Sequence, residues 1–228
     1  VIRIESLNGN DRTQSVASET QTVQLTAADN GASSWQQVLT TYIVIGIEHI
    51  LLGIDHLLFV AGLILLVGFQ RQLVWTVTAF TLAHSLTLAL SVMNVVAVPQ
   101  ISVEIIIALS ILLVATESLD KTLTLARRYP WMVAFIFGLV HGLGFAGALR
   151  EVGLPEHELP LSLLAFNLGV EFGQLGVIFT VYLLAQIVPR LIGGREIARP
   201  VILFSTYVVG SLGAYWTISR SSELLGLI

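Results

Sequence analysis

Cysteine is absent from the sequence, which excludes disulfides, thiolate metal sites and cysteine catalysis. Charge is scarce too: Asp, Glu, Lys and Arg make up 11% of the chain, against roughly 25% in a soluble domain. A larger core does not account for the deficit, because a chain of 228 residues keeps much of its surface outside. There is no basic tract and the net charge is -4, so nucleic acid is excluded as a partner. No ATP-binding motif is present, and the glycines of residues 138–147 do not follow a strand, so a nucleotide loop is rejected. No basic-apolar-small leader and no Met open the chain, which starts at Val1; the expectation is a processed or truncated form.

What the chain has in quantity is apolar surface: 55% of its residues are hydrophobic, and the partner for that surface is lipid. A spanning helix needs about 20 mostly apolar residues. Six stretches qualify, at roughly 38–67, 72–92, 101–119, 131–149, 160–188 and 200–218. The expected fold is therefore an all-α membrane protein, residues 35–228 forming a six-helix transmembrane domain. Residues 1–34 differ. Val1-Ile2-Arg3-Ile4-Glu5 and Thr22-Val23-Gln24-Leu25-Thr26 alternate as strands do, with Asn8-Gly9-Asn10-Asp11 as a turn. They read as an extracytoplasmic β-like segment, the end of a larger β domain.

Arg71, Lys121, Arg127, Arg128, Arg190, Arg195 and Arg199 fall in the odd loops, against Arg3, Arg12, Arg150 and Arg220 on the other side. That bias makes the odd loops cytoplasmic and both termini extracytoplasmic, in a bacterial-type inner membrane. A faint repeat is also visible. Gly46-Ile47-Glu48-His49 matches Gly138-Leu139-Val140-His141, and Ala79-Phe80-Thr81-Leu82 matches Ala165-Phe166-Asn167-Leu168. The implied unit is three helices, so the second copy would be inverted, as in secondary transporters.

Five ionisable residues fall at the midpoints of four spans: Asp55, His56, His84, His141 and Glu171. One charged group at the bilayer centre costs on the order of 3 kcal/mol. Five must face one another, a wet cavity or a cation. Three imidazoles and two carboxylates suit a divalent transition metal such as Ni, Co or Zn, with the carboxylates neutralising the ion. His49 lies seven residues before His56, on the same helix face but roughly 10 Å away along the axis. Either Gly53 breaks the helix and the two converge, or His49 is an outer relay; the relay is the preferred reading. Glu48 would line the same outer approach. Ser85, Asn167 and Gln174 are candidates for the layer behind the ligands, or for bonds to a neighbouring helix. Glu104 and Glu117 read as interfacial anchors, and the small residues from Gly138 to Gly147 as a close helix contact.

His49-Ile50-Leu51-Leu52-Gly53-Ile54-Asp55-His56-Leu57-Leu58 resembles the first-helix signature of the HupE/UreJ family. The stretches 78–85, 137–145 and 166–174, holding His84, His141 and Glu171, resemble the branch called HupE/UreJ-2. The resemblance covers nearly everything after residue 40. It implies a membrane protein linked to hydrogenase or urease maturation, a family regarded as nickel or cobalt permeases, with metalloenzyme-maturation proteins as further partners. The chain departs from the characterised permeases in having Ile50 where Pro is common, and His141 alone in the fourth helix.

The leading expectation is thus a secondary transporter for a divalent metal, with lipid and the ion as partners. An intramembrane zinc hydrolase is the alternative, using three His and a carboxylate base. A structural subunit, or one holding haem between two His, is the third.

Overall fold

The computed structural model describes residues 2–4, 12–14, 35–120, 122, 124–152, 158–192 and 198–227. Near the N-terminus, β1 (Ile2–Ile4) pairs antiparallel with β2 (Arg12–Gln14), Ile2 opposite Gln14. The expected first strand is present, but its partner is Arg12–Gln14; that short polar stretch has no apolar alternation to announce it. The expected strand Thr22–Thr26 and the turn at Asn8–Asp11 lie outside the described residues.

Everything else that is ordered into elements is helical: α1 (Trp35–Leu52), α2 (Ile54–Val67), α3 (Arg71–Val92), α4 (Gln100–Leu119), the single turn α5 (Leu125–Arg128), α6 (Pro130–Val152), α7 (Leu159–Ile192) and α8 (Ala198–Leu224). Among the described residues, α3, α4, α7 and α8 are long and apolar enough to cross a bilayer. Together α1 and α2 make a fifth candidate, bent by 73° at the break between them. The apolar stretch Pro130–Phe145 of α6 is shorter. The helices match the six apolar stretches closely, except that the first is two helices. Large apolar side chains such as Leu82, Phe172 and Phe204 point outward, as a lipid-facing surface requires.

Three helix pairs carry most of the tertiary contact: α3 with α6, α1 with α7, and α4 with α8. Glycine makes the first two possible. A Cβ on Gly138 would strike the carbonyl of Phe80, and one on Gly142 the carbonyl of His84. On the other pair, a Cβ on Gly46 would strike the carbonyl of Phe166. These contacts keep the register of the repeat. Gly46 matches Gly138 and Phe80 matches Phe166, and each glycine sits on the other copy's phenylalanine. Two apolar clusters result, one around Phe59, Leu63, Phe80 and Ile111, the other around Ile50, Leu88, Phe166 and Val170. His84 touches a ring of each.

Candidate metal centre

Gly53 sets the geometry. Its backbone (φ -77°, ψ 92°) leaves the helical region, yet its N–H still donates to the His49 carbonyl at 3.0 Å and its own carbonyl accepts from Leu57 at 3.0 Å. The chain therefore turns without losing those bonds. An added Cβ would lie 2.6 Å from the His49 carbonyl oxygen and 3.0 Å from His56 Nδ1, so the turn needs a residue with no side chain. Across it the His49 and His56 rings come to 4.4 Å between centroids, where a straight helix would hold them roughly 10 Å apart. Of the two readings of His49, the convergence is the one observed; the preferred outer relay is not, because a continuous helix was assumed there.

His84 from α3 completes a group of three. His49, His56 and His84 each offer a ring nitrogen, all within 4.8 Å of one another. A tetrahedral ion with bonds of about 2.1 Å holds its donors about 3.4 Å apart, so the rings need to draw in by roughly 1 Å. His141 from α6 stands beside them, 5.1 Å from His56 between centroids.

The hydrogen bonds fix which nitrogens are free. Asn167 donates its amide N–H to the Leu163 carbonyl at 2.7 Å, leaving Oδ1 to face His84 Nδ1 at 3.4 Å. Nδ1 must then carry the proton, and Nε2 the lone pair. Ser110 donates its one proton to the Ile107 carbonyl at 2.6 Å, so its oxygen accepts from His141 Nε2 at 3.2 Å, which leaves the lone pair on Nδ1. Those two lone-pair nitrogens, with Nε2 of His49 and of His56, are buried and have no hydrogen-bond partner. A buried unpartnered polar atom costs about 1–3 kcal/mol. Three of them, on His49, His56 and His84, belong to the group that could hold a metal ion, and the His84 ring is held from behind by a second hydrogen bond.

Aromatic rings enclose the group. Phe80 and Phe166 stack on His84, Phe145 lies 3.8 Å from His49, and Phe59 lies 5.1 Å from His141. They pack against the imidazole rings from several sides.

Neither expected carboxylate belongs to the imidazole group. Asp55, next to His56 in sequence, pairs with Arg220 of α8, Oδ2 to Nη2 at 3.2 Å. Arg220 also meets Glu104, at 3.5 Å from its side chain. Glu104 thus has an ion-pair partner beyond the interfacial role expected of it. Glu171 accepts from Thr78 of α3 at 2.6 Å and leaves Oε2 buried and unpartnered. Gln174 accepts from Thr81 at 2.9 Å, a bond between helices. Ser85 donates to the Thr81 carbonyl at 2.6 Å, and Glu48 is exposed on α1.

One cavity reaches the group and a second lies near it. One, about 440 Å³, is lined by His49, His56, His141, Asp55, Glu104 and Arg220, among others. The second, about 590 Å³, runs between α3 and α7 with mostly apolar walls, and reaches Ser85, Asn167 and Glu171. His84 is adjacent to it through Asn167. Sequence reasoning passed over Ser110, Arg220 and the four phenylalanines. A lone serine in the apolar run of α4 was a usable signal for Ser110. Arg220 was counted as a loop charge, and nothing in a phenylalanine distinguishes a cage from a core.

The family model described as HupE / UreJ protein matches residues 23–220. No curated protein and no solved structure matches the chain. Matching from before α1 to within α8, and taking in every imidazole of the site, the family assignment extends over most of the sequence: the chain belongs to the HupE/UreJ family.

Proposed function

We propose that this protein is a permease for a divalent transition metal such as nickel or cobalt, and that the ion is bound by His49, His56 and His84 with His141 as a fourth donor. The observation that carries this reading is the set of four buried, unpartnered ring nitrogens on four helices, three of them on histidines that line one cavity together with charged groups. Inverted three-helix halves, meeting at the site, would expose it to each side in turn. The protein sits in an inner membrane, residues 35–228 spanning it and residues 1–34 outside with both termini. Asp55 and Glu171 line the two cavities, one in each.

Ni²⁺ or Co²⁺ binding to the purified protein tests the site, and uptake into proteoliposomes tests transport. The expected result is one ion per chain, lost in His56→Ala/His84→Ala. A double variant that bound metal as tightly as the parent would sink the assignment. Metal bound without uptake would instead favour the second reading, an intramembrane zinc hydrolase. The apolar cavity between α3 and α7 is the observation on its side, since a lipid substrate could slide in from the bilayer.

A further inference from the structure

Arg220 lies about one turn from the C-terminal end of α8. It has two carboxylates around it, Asp55 from α2 and Glu104 from α4, at 3.2 and 3.5 Å. It also donates to the Glu104 backbone carbonyl at 3.1 Å. Gln100 ties Glu104 to the carbonyl of Gly144 on α6, with bonds of 3.1 and 2.9 Å. The guanidinium thus bridges both carboxylates. It also lies 5.5 Å from the centre of the Trp216 ring, one turn back on the same helix, where it stays compensated if the carboxylates let go. All of these groups line the cavity into which His56 and His141 project, each more than nine-tenths buried and each with an unpartnered nitrogen.

We propose that Arg220 is a tethered counter-cation: it fills an oxygen-donor site made by Asp55 and Glu104, and an incoming divalent cation takes its place before passing to the imidazoles. The proposal rests on the imidazole group being a metal site. Two carboxylates and one guanidinium leave a net charge of -1. A divalent ion neutralises the pair fully, whereas a monovalent ion gains nothing over the guanidinium it displaces. The exchange therefore selects charge, and the nitrogen donors beyond it select transition metals over Mg²⁺ or Ca²⁺. Trp216 receives the displaced guanidinium.

The test is equilibrium dialysis of the purified full chain against Ni²⁺. The parent is expected to bind one ion per chain, and Arg220→Gln two. Arg220→Lys, which keeps the charge, should stay at one. Adding Asp55→Asn to Arg220→Gln should return it to one, and adding His56→Ala/His84→Ala should leave the carboxylate ion alone. Arg220→Gln that still bound one ion, with unchanged affinity, overturns the proposal. A parent that bound none, beside an Arg220→Gln variant that bound one dependent on Asp55, overturns the imidazole site and upholds the carboxylate one. If Arg220→Gln does not fold, the rate of Ni²⁺ association with Asp55→Asn decides. Removing the outer carboxylate should slow it about tenfold with the equilibrium affinity little changed, and an unaltered rate overturns the proposal.

Discussion

Asn167 and Ser110 accept the hydrogen bonds that keep two imidazoles oriented, and neither offers one of the unpartnered ring nitrogens. Replacing Asn167 by Ala leaves His84 free to rotate and to change tautomer. The expected loss of Ni²⁺ affinity is about 10–100-fold, together with a lower thermal midpoint from the buried N–H left unpaired on His84; a titration and a melting curve on the same sample check both. Ser110→Ala likewise strands a buried N–H on His141, which should cost about 1–3 kcal/mol of stability. Acid acts on the ligands themselves. An imidazole binds metal only when neutral, so Ni²⁺ affinity should fall as pH drops and protons compete for the free nitrogens. The stoichiometric release of protons on metal binding, measured in weak buffer at low pH, checks the sign. Most of these residues could be singled out in the sequence, because polar atoms stand out in an apolar helix. Which of them touch could not be read there. Asp55 and His56 are neighbours in the chain, yet they face different partners, Arg220 and the imidazoles.

The first span is where periodicity misled. A single glycine in a long apolar run is compatible with a continuous helix, and Ile54 onward resumes the pattern without a shift. What the pattern could not carry is the value of ψ at Gly53, and that angle brings the His49 ring beside His56. Gly53→Ala should restore the straight helix. Alanine favours helix over glycine by about 1 kcal/mol, and its Cβ would press on the His49 carbonyl. Circular dichroism should show helicity kept or slightly raised, while Ni²⁺ affinity falls further than in Asn167→Ala. On α6, by contrast, the expected close contact is present. Gly142→Val would drive a side chain into the His84 carbonyl and Thr87, at a cost of about 1–3 kcal/mol or more, read as a lower melting temperature.

Across the whole molecule the pairing of helices joins the two halves of the sequence: α1 lies on α7 and α6 lies on α3. The spans and their approximate ends were legible, and so was a faint repeat, but the partner of each helix was not. Hydropathy reports that a helix meets lipid, and says nothing of which neighbour it meets. The missing cysteines make the expected orientation testable without background. In membrane vesicles, a cysteine at Gln100 and one at Leu164, each near the start of a helix that follows an even loop and each lining a cavity, should both react with a water-soluble thiol reagent from the extracytoplasmic side. Labelling of either from the cytoplasmic side alone would overturn the expected orientation.

The α1–α7 contact also sets a timetable. At about 5–20 residues per second of synthesis, α1 emerges on the order of ten seconds before the first turns of α7 exist. During that interval the glycine face of Gly46 has no permanent neighbour. The newborn helix must wait in the membrane or its insertion machinery, and is exposed to quality control until its distant partner arrives.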